Sequence, residues 1–291
     1  MSRVGLDGRI PAGAWSWLGR TPFAETAELQ ERLRRAQLAG AAGDTLLVLE
    51  HDPVITLGRA ADPAHVLASA DELTHNGIAV ARATRGGDVT YHGPGQIVAY
   101  PVVRLRSGVR AHVRAMAAAI LDLLGDWGIE GHYRDDAPGV WVTRDGRPAK
   151  IAAFGINVHH RIAVHGLAFN LCPRLDHFAR IVPCGLTGVA VTSVAELLSE
   201  RGASACASAS ASAFASTSSS ASVSASACGS VSTSASTSTS PTTSTGSAAD
   251  EWPTPFTSAE RLARALGERL GIAFRRTTDP TELLCKTTSL E

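Results

Sequence analysis

Cysteine is scarce in this chain, and its pattern argues against two common kinds of small scaffold. The five cysteines are widely spaced, and no two of them form a Cys-x-x-Cys pair. An odd number without close pairs is not expected of a disulfide framework or of a structural zinc site. The cysteines are Cys172, Cys184, Cys206, Cys228 and Cys285.

An excess of charge and a long apolar run are also missing. The 27 Lys and Arg residues are matched by 27 Asp and Glu residues, so the formal net charge is zero. Nucleic acids and anionic membranes require a basic surface, so we expect neither as a partner. No apolar run is long enough to span a bilayer, and residues 1–7 contain no apolar signal core. These features lead us to expect a protein of the reducing cytoplasm.

One long segment, residues 203–249, consists almost entirely of Ser, Ala and Thr. It has neither hydrophobic periodicity nor charge, so burial cannot offset the entropy of ordering it. We predict a disordered insertion here. An alanine-rich helix is the alternative, and it is disfavoured because Ser and Thr compete for backbone hydrogen bonds. The flanking residues, 1–202 and 250–291, are then expected to form a single domain.

Hydrophobic patterns on both sides of this segment predict a mixed α/β domain. Helices are predicted over Thr26–Gly40, Ser69–Gly77 and Val109–Trp127, from Ser193, and from a capping box at Thr257 to Gly271. Strands are predicted over Thr45–His51, Val54–Leu57, Ile78–Thr84, Ile97–Pro101, Gly139–Thr143, Ala149–Val158, Arg161–Leu171 and Ile272–Phe274. The Asp145-Gly146 pair predicts a hairpin turn, so at least three strands should form a meander after the longest helix.

A glycine-rich stretch, Arg85–Gln96, is the most unusual segment of the chain. It places four glycines and one proline among side chains that donate or accept hydrogen bonds. Glycine lets the backbone approach a bound group closely and adopt a positive φ, and Pro94 restricts the exit of the segment. This composition is typical of a ligand-binding loop, and a turn between strands is the alternative.

Cys184 stands in a second tight segment, between Pro183 and Gly185, which leaves its thiol at the apex of a loop. A cysteine acts as a nucleophile only as the thiolate, so it needs a nearby cation or oriented N–H groups. The alternative for a lone cysteine is a small buried hydrophobic residue.

Lys150 is a candidate for that cation. It begins an apolar strand that ends at Gly155, which suggests partial burial, although a solvated strand end is the alternative. In the next strand, His165 either orients a substrate or satisfies a hydrogen bond in the core.

Four segments together resemble the octanoyltransferases of lipoate biosynthesis, in the family's order and over residues 25–200. The most specific is Arg-Gly-Gly-x-Val-Thr-Tyr-His-Gly-Pro-Gly-Gln at residues 85–96. The others are Lys-Ile-Ala-Ala-x-Gly at 150–155, His-Gly-Leu-Ala-x-Asn at 165–170 and Pro-Cys-Gly at 183–185.

The resemblance implies an α+β fold shared with biotin protein ligases and lipoate ligases, in which helices flank a mixed, mainly antiparallel sheet. It implies that an octanoyl group passes from octanoyl-acyl carrier protein to a lysine of a lipoyl-carrier domain, the first step of protein lipoylation. The acceptors would be the lipoyl domains of 2-oxoacid dehydrogenases and the H protein of glycine cleavage. No metal and no nucleotide cofactor would be required.

Residue roles follow from the same resemblance. Cys184 would hold the acyl group as a thioester, and Lys150 would be its partner in a Cys/Lys dyad. Backbone N–H groups of either the Cys184 loop or the glycine-rich stretch would hold the oxyanion. The substrate-contacting residues would be Arg85, Gly86, Gly87, Asp88, Val89, Thr90, Tyr91, His92, Ala153, Phe154, Gly155, Gly166, Leu167 and Ala168.

Three other functions share parts of this pattern. A lipoate or biotin ligase would activate a free acid with ATP and would not need the Pro-Cys-Gly nucleophile. A non-catalytic protein that binds carrier domains would leave Cys184 unreactive. A Cys/His hydrolase would pair Cys184 with His92 or His165 and release the acyl group to water.

Overall fold

The computed structural model describes residues 10–183, 188–200, 253–279 and Leu283, and these residues belong to one compact unit. Their strands are β1 (Ala12–Thr21), β2 (Asp44–His51), β3 (Val54–Leu57), β4 (Ala79–Arg82), β5 (Val89–His92), β6 (Gln96–Arg104), β7 (Gly131–Arg134), β8 (Gly139–Arg144), β9 (Arg147–His159), β10 (Ile162–Asn170), β11 (Ala190–Val191) and β12 (Ala273–Arg276). The α-helices are α1 (Phe23–Leu38), α2 (Ala70–His75), α3 (Val109–Asp126), α4 (Val194–Glu200) and α5 (Pro255–Leu270).

The main sheet has the strand order β12-β1-β2-β6-β10-β9-β8-β7, and the short strand β11 also pairs with β9. The pairs β12–β1, β1–β2 and β11–β9 are parallel, whereas the remaining pairs are antiparallel. Strands β7 to β10 follow one another as the meander that the sequence predicts. The fold class, a mixed and mainly antiparallel sheet flanked by helices, is confirmed.

Both faces of the main sheet are covered because its central strands are apolar on both sides. In β2, Leu46 and Val48 pack with residues of α3, α4 and α5, whereas Leu47 and Leu49 face the other way, towards Leu33 of α1. This alternation follows from the two-residue period of a strand. None of the helices among the described residues is long and apolar enough to cross a membrane.

A small second sheet, in the order β4-β3-β5, carries the middle of the glycine-rich stretch. Strand β5 forms this part, and the turn at Gly93–Gly95 delivers the chain into β6 of the main sheet. Gly95 has a φ of +85°, and a Cβ there would lie 2.3 Å from the carbonyl oxygen of Cys172. The carboxylate of Glu50 accepts a hydrogen bond from the Gly95 N–H at 2.6 Å, which fixes the turn against β2.

Most predicted elements are confirmed, and the exceptions have physical reasons. Asp145 and Gly146 both have positive φ, as the predicted hairpin requires. The capping box at Thr257 is wrong, because Thr254 caps α5 and its side chain accepts from the Thr257 N–H. Pro255 then fills the first helical position, which suits proline. Strands β1 and β7 were not predicted, and β5 was not separated from the surrounding loop. The segment 203–249 lies outside the described residues, so its disorder and the domain boundaries beside it stay predictions.

Candidate active site

A cavity of about 50 Å³ lies where β5, β9, β10 and the loop before β5 meet. Three segments that are distant in sequence therefore form one wall. Eleven of the predicted substrate-contacting residues line it: Arg85, Gly87, Asp88, Thr90, His92, Ala153, Phe154, Gly155, Gly166, Leu167 and Ala168. Typical small-molecule pockets hold roughly 300–1,000 Å³, so a ligand requires some of these side chains to move.

Side chains of β5 alternate between its two faces, so only some of the predicted substrate-contacting residues in the glycine-rich stretch face the cavity. Thr90 and His92 face the cavity. Val89 and Tyr91 point to the opposite side, into the apolar cluster beneath the small sheet. Burial raises the pKa of Tyr91 to about 12, and its hydroxyl lies 2.8 Å from Nδ1 of His177. Neither Val89 nor Tyr91 is placed to contact a ligand in the cavity directly.

Arg85 is held at the cavity wall by the backbone and side chain of one residue of β3. Its Nη2 donates to the carbonyl oxygen of Thr56 at 2.5 Å and to the Thr56 hydroxyl at 2.8 Å, and its Nη1 donates to the carbonyl of Gly86 at 3.1 Å. The guanidinium is thus fixed in place, and Arg85 is buried, with 8% of its surface exposed. Gly155 leaves room for it, since a Cβ there would lie 3.0 Å from Cδ of Arg85.

His92 is neutral, and its tautomer follows from its neighbours. The Asn170 amide nitrogen donates to the carbonyl of Thr192, so Oδ1 of Asn170 is the atom that accepts from the Gln96 amide nitrogen. The Gln96 Oε1 atom therefore faces Nδ1 of His92, at 2.7 Å, and an oxygen of this kind can only accept. His92 therefore donates from Nδ1. Burial, with a smaller effect from His51 and Arg85, holds its pKa well below the usual range.

His51 lies behind the cavity wall and is also neutral. Its Nδ1 faces the carbonyl of Thr21 at 2.8 Å, and a carbonyl can only accept, so Nδ1 carries the proton. Its Nε2 consequently accepts from the hydroxyl of Tyr100 at 2.8 Å. Burial lowers the pKa of His51 to about 4. Tyr100 lines the cavity with its hydroxyl proton already engaged.

His165 occupies an unusual backbone conformation for a residue inside a strand. Its φ is +59°, a region that few residues other than glycine adopt. The next residue is Gly166, where a Cβ would lie only 2.2 Å from the carbonyl oxygen of Ala99. Burial lowers the pKa of His165 to about 4, and its Nε2 lies 2.9 Å from the hydroxyl of Thr84. Strain of this kind concentrates at functional sites.

These neutral rings decide what the cavity can hold. His92, Tyr100 and His165 line it together with Phe23, Phe154 and Leu167. Because the two histidines are uncharged and the Tyr100 proton is directed to His51, this part of the wall favours an uncharged, largely apolar group. Arg85 and Asp88 line another part of the same cavity.

Lys150 faces a neighbouring cleft of about 700 Å³. In β9, Ile151 is the extra residue of a bulge, because Val140 pairs with Ala152 and Trp141 pairs with Lys150. Such a bulge changes the direction of the side chains on one side of it. The Lys150 side chain crosses Gly139, and its Nζ lies 4.8 Å from the centroid of the Trp141 ring. The residue is buried, with 5% of its surface exposed.

The cleft and the cavity share part of their walls. Gly87, Asp88, Phe154 and Gly155 line both, and Gly86 lines the cleft alone. Phe154 is the one large apolar side chain at this boundary. A group held in the cavity is therefore separated from the space around Lys150 by a single aromatic ring and the adjacent backbone.

Cys184 lies outside the described residues, so its contact with Lys150 stays a prediction. Both flanks of its loop are described. On the N-terminal side, the N–H of Val182 donates to the carbonyl of His65 at 2.8 Å. On the C-terminal side, Ala190 and Val191 form β11 and pair with Ala149 and Lys150 of β9.

Sequence reasoning did not identify Phe23, Tyr100 or His51 as part of the site. Phe23 begins α1 directly after the strand that was not predicted. Tyr100 carries a signal that was available, because its hydroxyl lies within the otherwise apolar run of residues 97–103, and buried polar groups are usually hydrogen-bonded. His51 carries a weaker signal, because it follows Glu50 in β2. The scarcity of lysine is another signal, since Lys150 and Lys286 are the only two lysines in the chain.

Comparison with known proteins identifies the family of this chain. Residues 22–215, more than half of the chain, match the lipoyl protein ligase A/B catalytic domain. An octanoyltransferase of Solibacter usitatus is 48% identical over 183 residues, which cover 62% of this chain and 81% of that protein. An octanoyltransferase of Xanthomonas campestris is 49% identical over 56% of this chain and 67% of its own length. The match to an octanoyltransferase of Myxococcus xanthus, at 42% identity, covers 61% of this chain and only about half (51%) of that protein.

Solved structures of lower identity share the fold. A bipartite lipoate protein ligase of Thermoplasma acidophilum superposes with a TM-score of 0.59 at 18% identity, over 94% of this chain and 90% of that one. A lipoate-protein ligase A bound with ATP gives a TM-score of 0.57 at 17% identity, over 94% of this chain and 92% of that one. The chain therefore belongs to the lipoyl protein ligase A/B catalytic domain family, as one of its octanoyltransferase enzymes.

Proposed function

We propose that this enzyme transfers an octanoyl group from octanoyl-acyl carrier protein to a lysine of a lipoyl-carrier domain, in the cytoplasm, through a thioester on Cys184. The acceptors would be the lipoyl domains of 2-oxoacid dehydrogenases and the H protein of glycine cleavage. The observation that carries the proposal is the largely apolar cavity that shares a wall with the cleft of Lys150. An acyl chain would occupy this cavity after some of its side chains move, with its carbonyl towards the cleft.

In the first half-reaction, the Cys184 thiolate attacks the carbonyl carbon of the donor thioester. A bond forms between Sγ and this carbon, the bond to the donor sulfur breaks, and the donor leaves as a thiol after taking up a proton. A nearby ammonium stabilises the attacking thiolate. Lys150 is the proposed ammonium, because it is the lysine that the described part of the chain places beside the cavity.

In the second half-reaction, the acceptor lysine attacks the Cys184 thioester as a neutral amine. The new C–N bond forms, the bond from carbon to Sγ breaks, and the amine loses a proton. Lys150, once it has given up its own proton to the departing donor, can accept this one. A single residue then serves both steps.

The flanks of the Cys184 loop support this pairing. Ala190 lies six residues after Cys184 and pairs with Ala149, the neighbour of Lys150. Six extended residues span at most roughly 20 Å, so the loop is tethered within that distance of the start of β9. The hydrogen bond from the Thr192 N–H to the Lys150 carbonyl, at 3.0 Å, continues the same attachment.

A transfer assay without ATP tests this function against its alternatives. The enzyme is mixed with octanoyl-acyl carrier protein and a lipoyl domain, and the mass of the lipoyl domain is measured. We expect one octanoyl group on the lipoyl domain. Acylation only from free octanoate and ATP would show a ligase, release of free octanoate would show a hydrolase, and no reaction in either assay would show a non-catalytic binding protein.

A further inference from the structure

We propose that His65 is a positioning residue, which acts through Asp88 to hold the segment that precedes Cys184 in place beside the cavity. This inference rests on the proposed role of Cys184. His65 lies in the loop between β3 and α2, and it lines neither the cavity nor the cleft. Its effect on the reaction would therefore pass through its two attachments.

The first attachment joins His65 to the glycine-rich stretch. Nδ1 of His65 lies 2.5 Å from Oδ2 of Asp88, and the Asp62 N–H donates to Oδ1 of the same carboxylate at 3.0 Å. The Asp88 carboxylate is thus occupied by two groups of one loop. Its side chain is 12% exposed, and such a short contact in a partly buried setting restrains both side chains.

The backbone next to Asp88 strengthens this connection. The N–H of Gly58 donates to the carbonyl of Asp88 at 3.1 Å, and the N–H of Ala60 donates to the carbonyl of Gly87 at 3.2 Å. The loop that carries His65 therefore follows the glycine-rich stretch as a rigid neighbour. Gly87 and Asp88 line the cavity, so these hydrogen bonds fix the position of the loop relative to the cavity.

The second attachment joins His65 to the segment that leads into Cys184. The carbonyl of His65 accepts from the Val182 N–H at 2.8 Å, Val66 forms an antiparallel bridge with Ile181, and the Leu67 N–H donates to the carbonyl of Arg180 at 2.8 Å. These contacts form a short two-stranded ribbon. Val182 precedes Cys184 by two residues, so the ribbon sets where the nucleophile loop starts.

Together the two attachments make one chain of contacts, from the cavity wall through Asp88 and His65 to Val182. If the His65–Asp88 contact is lost, the ribbon keeps its own hydrogen bonds and the loop keeps the backbone hydrogen bonds of Gly58 and Ala60, but the residue that begins the ribbon is no longer fixed to the cavity wall by its side chain. Cys184 would then sit at a less favourable distance from Lys150, with a smaller fraction of thiolate. The enzyme would fold but would react slowly.

A pair of variants isolates the hydrogen bond. His65→Asn places an amide donor at the same distance from Cβ as Nδ1 of histidine, whereas His65→Leu has a similar shape and no donor. The measurement is the rate at which Cys184 is alkylated by iodoacetamide without substrates, followed by peptide mass spectrometry because the chain has five cysteines. The thermal midpoint and the rate of Cys184 acylation are measured alongside.

We expect about tenfold slower alkylation and acylation of Cys184 in His65→Leu, recovery to within about threefold of wild type in His65→Asn, and a similar KM for the donor. His75→Leu, on the exposed face of α2, is the matched control and should leave both rates unchanged. If His65→Leu does not fold, His65→Gln replaces it, since its amide lies one bond further out and should be as slow.

Unchanged alkylation in the folded Leu or Gln variant, or slow rates in Asn and Leu alike, would overturn the proposal. The alkylation readout does not use an octanoyl donor. If wild type forms no octanoyl adduct while His65→Leu still slows alkylation, the proposed function fails and the positioning role stands.

Discussion

Lys150 is the residue on which the proposed chemistry depends most. The chain contains two lysines among its 27 basic residues, so its cationic surface is built from arginine. A buried lysine in such a chain does not serve solubility. Its stem lies over Gly139 and its ammonium over the Trp141 ring, two contacts that hold it at the cleft without a surface role.

Replacing Lys150 should remove the proton carrier while keeping the packing. We expect Lys150→Met, which is similar in length, to lower kcat by about 10²- to 10⁴-fold, the range for loss of general acid–base catalysis. The measurement is the steady-state rate of lipoyl-domain acylation. Lys150→Arg keeps the charge but does not exchange its proton near neutral pH, so it should be almost as slow. Activity of Lys150→Met within threefold of wild type would exclude the proposed role.

Residue roles could be predicted from the sequence only where neighbouring residues form a recognisable motif. Three of the four motifs locate most of the cavity wall, because the residues of each motif lie close together in the structure. The separation of Thr90 and His92 from Val89 and Tyr91 could not be foreseen, because it requires the knowledge that residues 89–92 form a strand. His65 and His51 were missed because their partners, Asp88 and Tyr100, are distant in sequence.

At the scale of elements, β9 organises the site. The bulge at Ile151 directs Lys150 to the cleft, and four residues later Phe154 separates the cleft from the cavity. The ring of Phe154 lies 6.2 Å from that of Tyr133 of β7, measured between centroids, and Phe154 also packs against the main core cluster.

Truncating Phe154 should join the cavity to the cleft and relax the limit on chain length. We expect Phe154→Ala to raise kcat/KM for a dodecanoyl donor relative to an octanoyl donor by about 10- to 100-fold, since each methylene in an apolar pocket is worth roughly 1–3 kcal/mol. Phe154→Leu keeps a bulky side chain and should shift the ratio less. The measurement is competition between the two acyl-carrier substrates. An unchanged ratio in Phe154→Ala would show that this ring does not bound the chain.

Elements with a periodic apolar pattern were predictable, whereas elements defined by tertiary contact were not. Strand β1 contains Gly13 and Gly19, which resemble strand breakers in the sequence. The structure gives Gly13 a packing reason, because a Cβ there would lie 2.8 Å from the carbonyl oxygen of Asp44 and 2.8 Å from the Phe274 ring. Such a constraint comes from the partner strands β2 and β12, and the local sequence does not contain it.

At the scale of the whole molecule, burial lowers the pKa of five histidines among the described residues; His177 has the smaller shift, and the other four are kept neutral. Burial lowers the pKa of His51, His112 and His165 to about 4 each, and that of His92 well below the usual range. In the unfolded chain each would titrate near 6.5. Between pH 6.5 and 4 the unfolded state therefore binds more protons, and the free energy of unfolding must fall as the pH falls.

This difference in proton binding predicts that the free energy of unfolding starts to fall as soon as the pH drops below about 6.5. The stability should be fully present above pH 6.5 and should decline by about 1.4 kcal/mol per pH unit for each of these histidines as the pH falls towards 4. Denaturant unfolding at a series of pH values measures the slope. His112→Gln, in α3 and outside the cavity and cleft, should reduce the slope by about one proton. A flat profile between pH 6.5 and 4.5 would contradict the burial of neutral histidines.

The central claim is that Cys184 carries the octanoyl group between donor and acceptor, and time-resolved intact mass tests it most directly. Wild type and Cys184→Ala are each mixed with octanoyl-acyl carrier protein, sampled within the turnover time, and then given a lipoyl domain. We expect one octanoyl group on wild type, mapped to the Cys184 peptide, which forms at least as fast as overall turnover and disappears as the lipoyl domain gains it. Cys184→Ala should show neither event. Transfer to the lipoyl domain at the wild-type rate by Cys184→Ala, with no acyl-enzyme detected, would contradict the account.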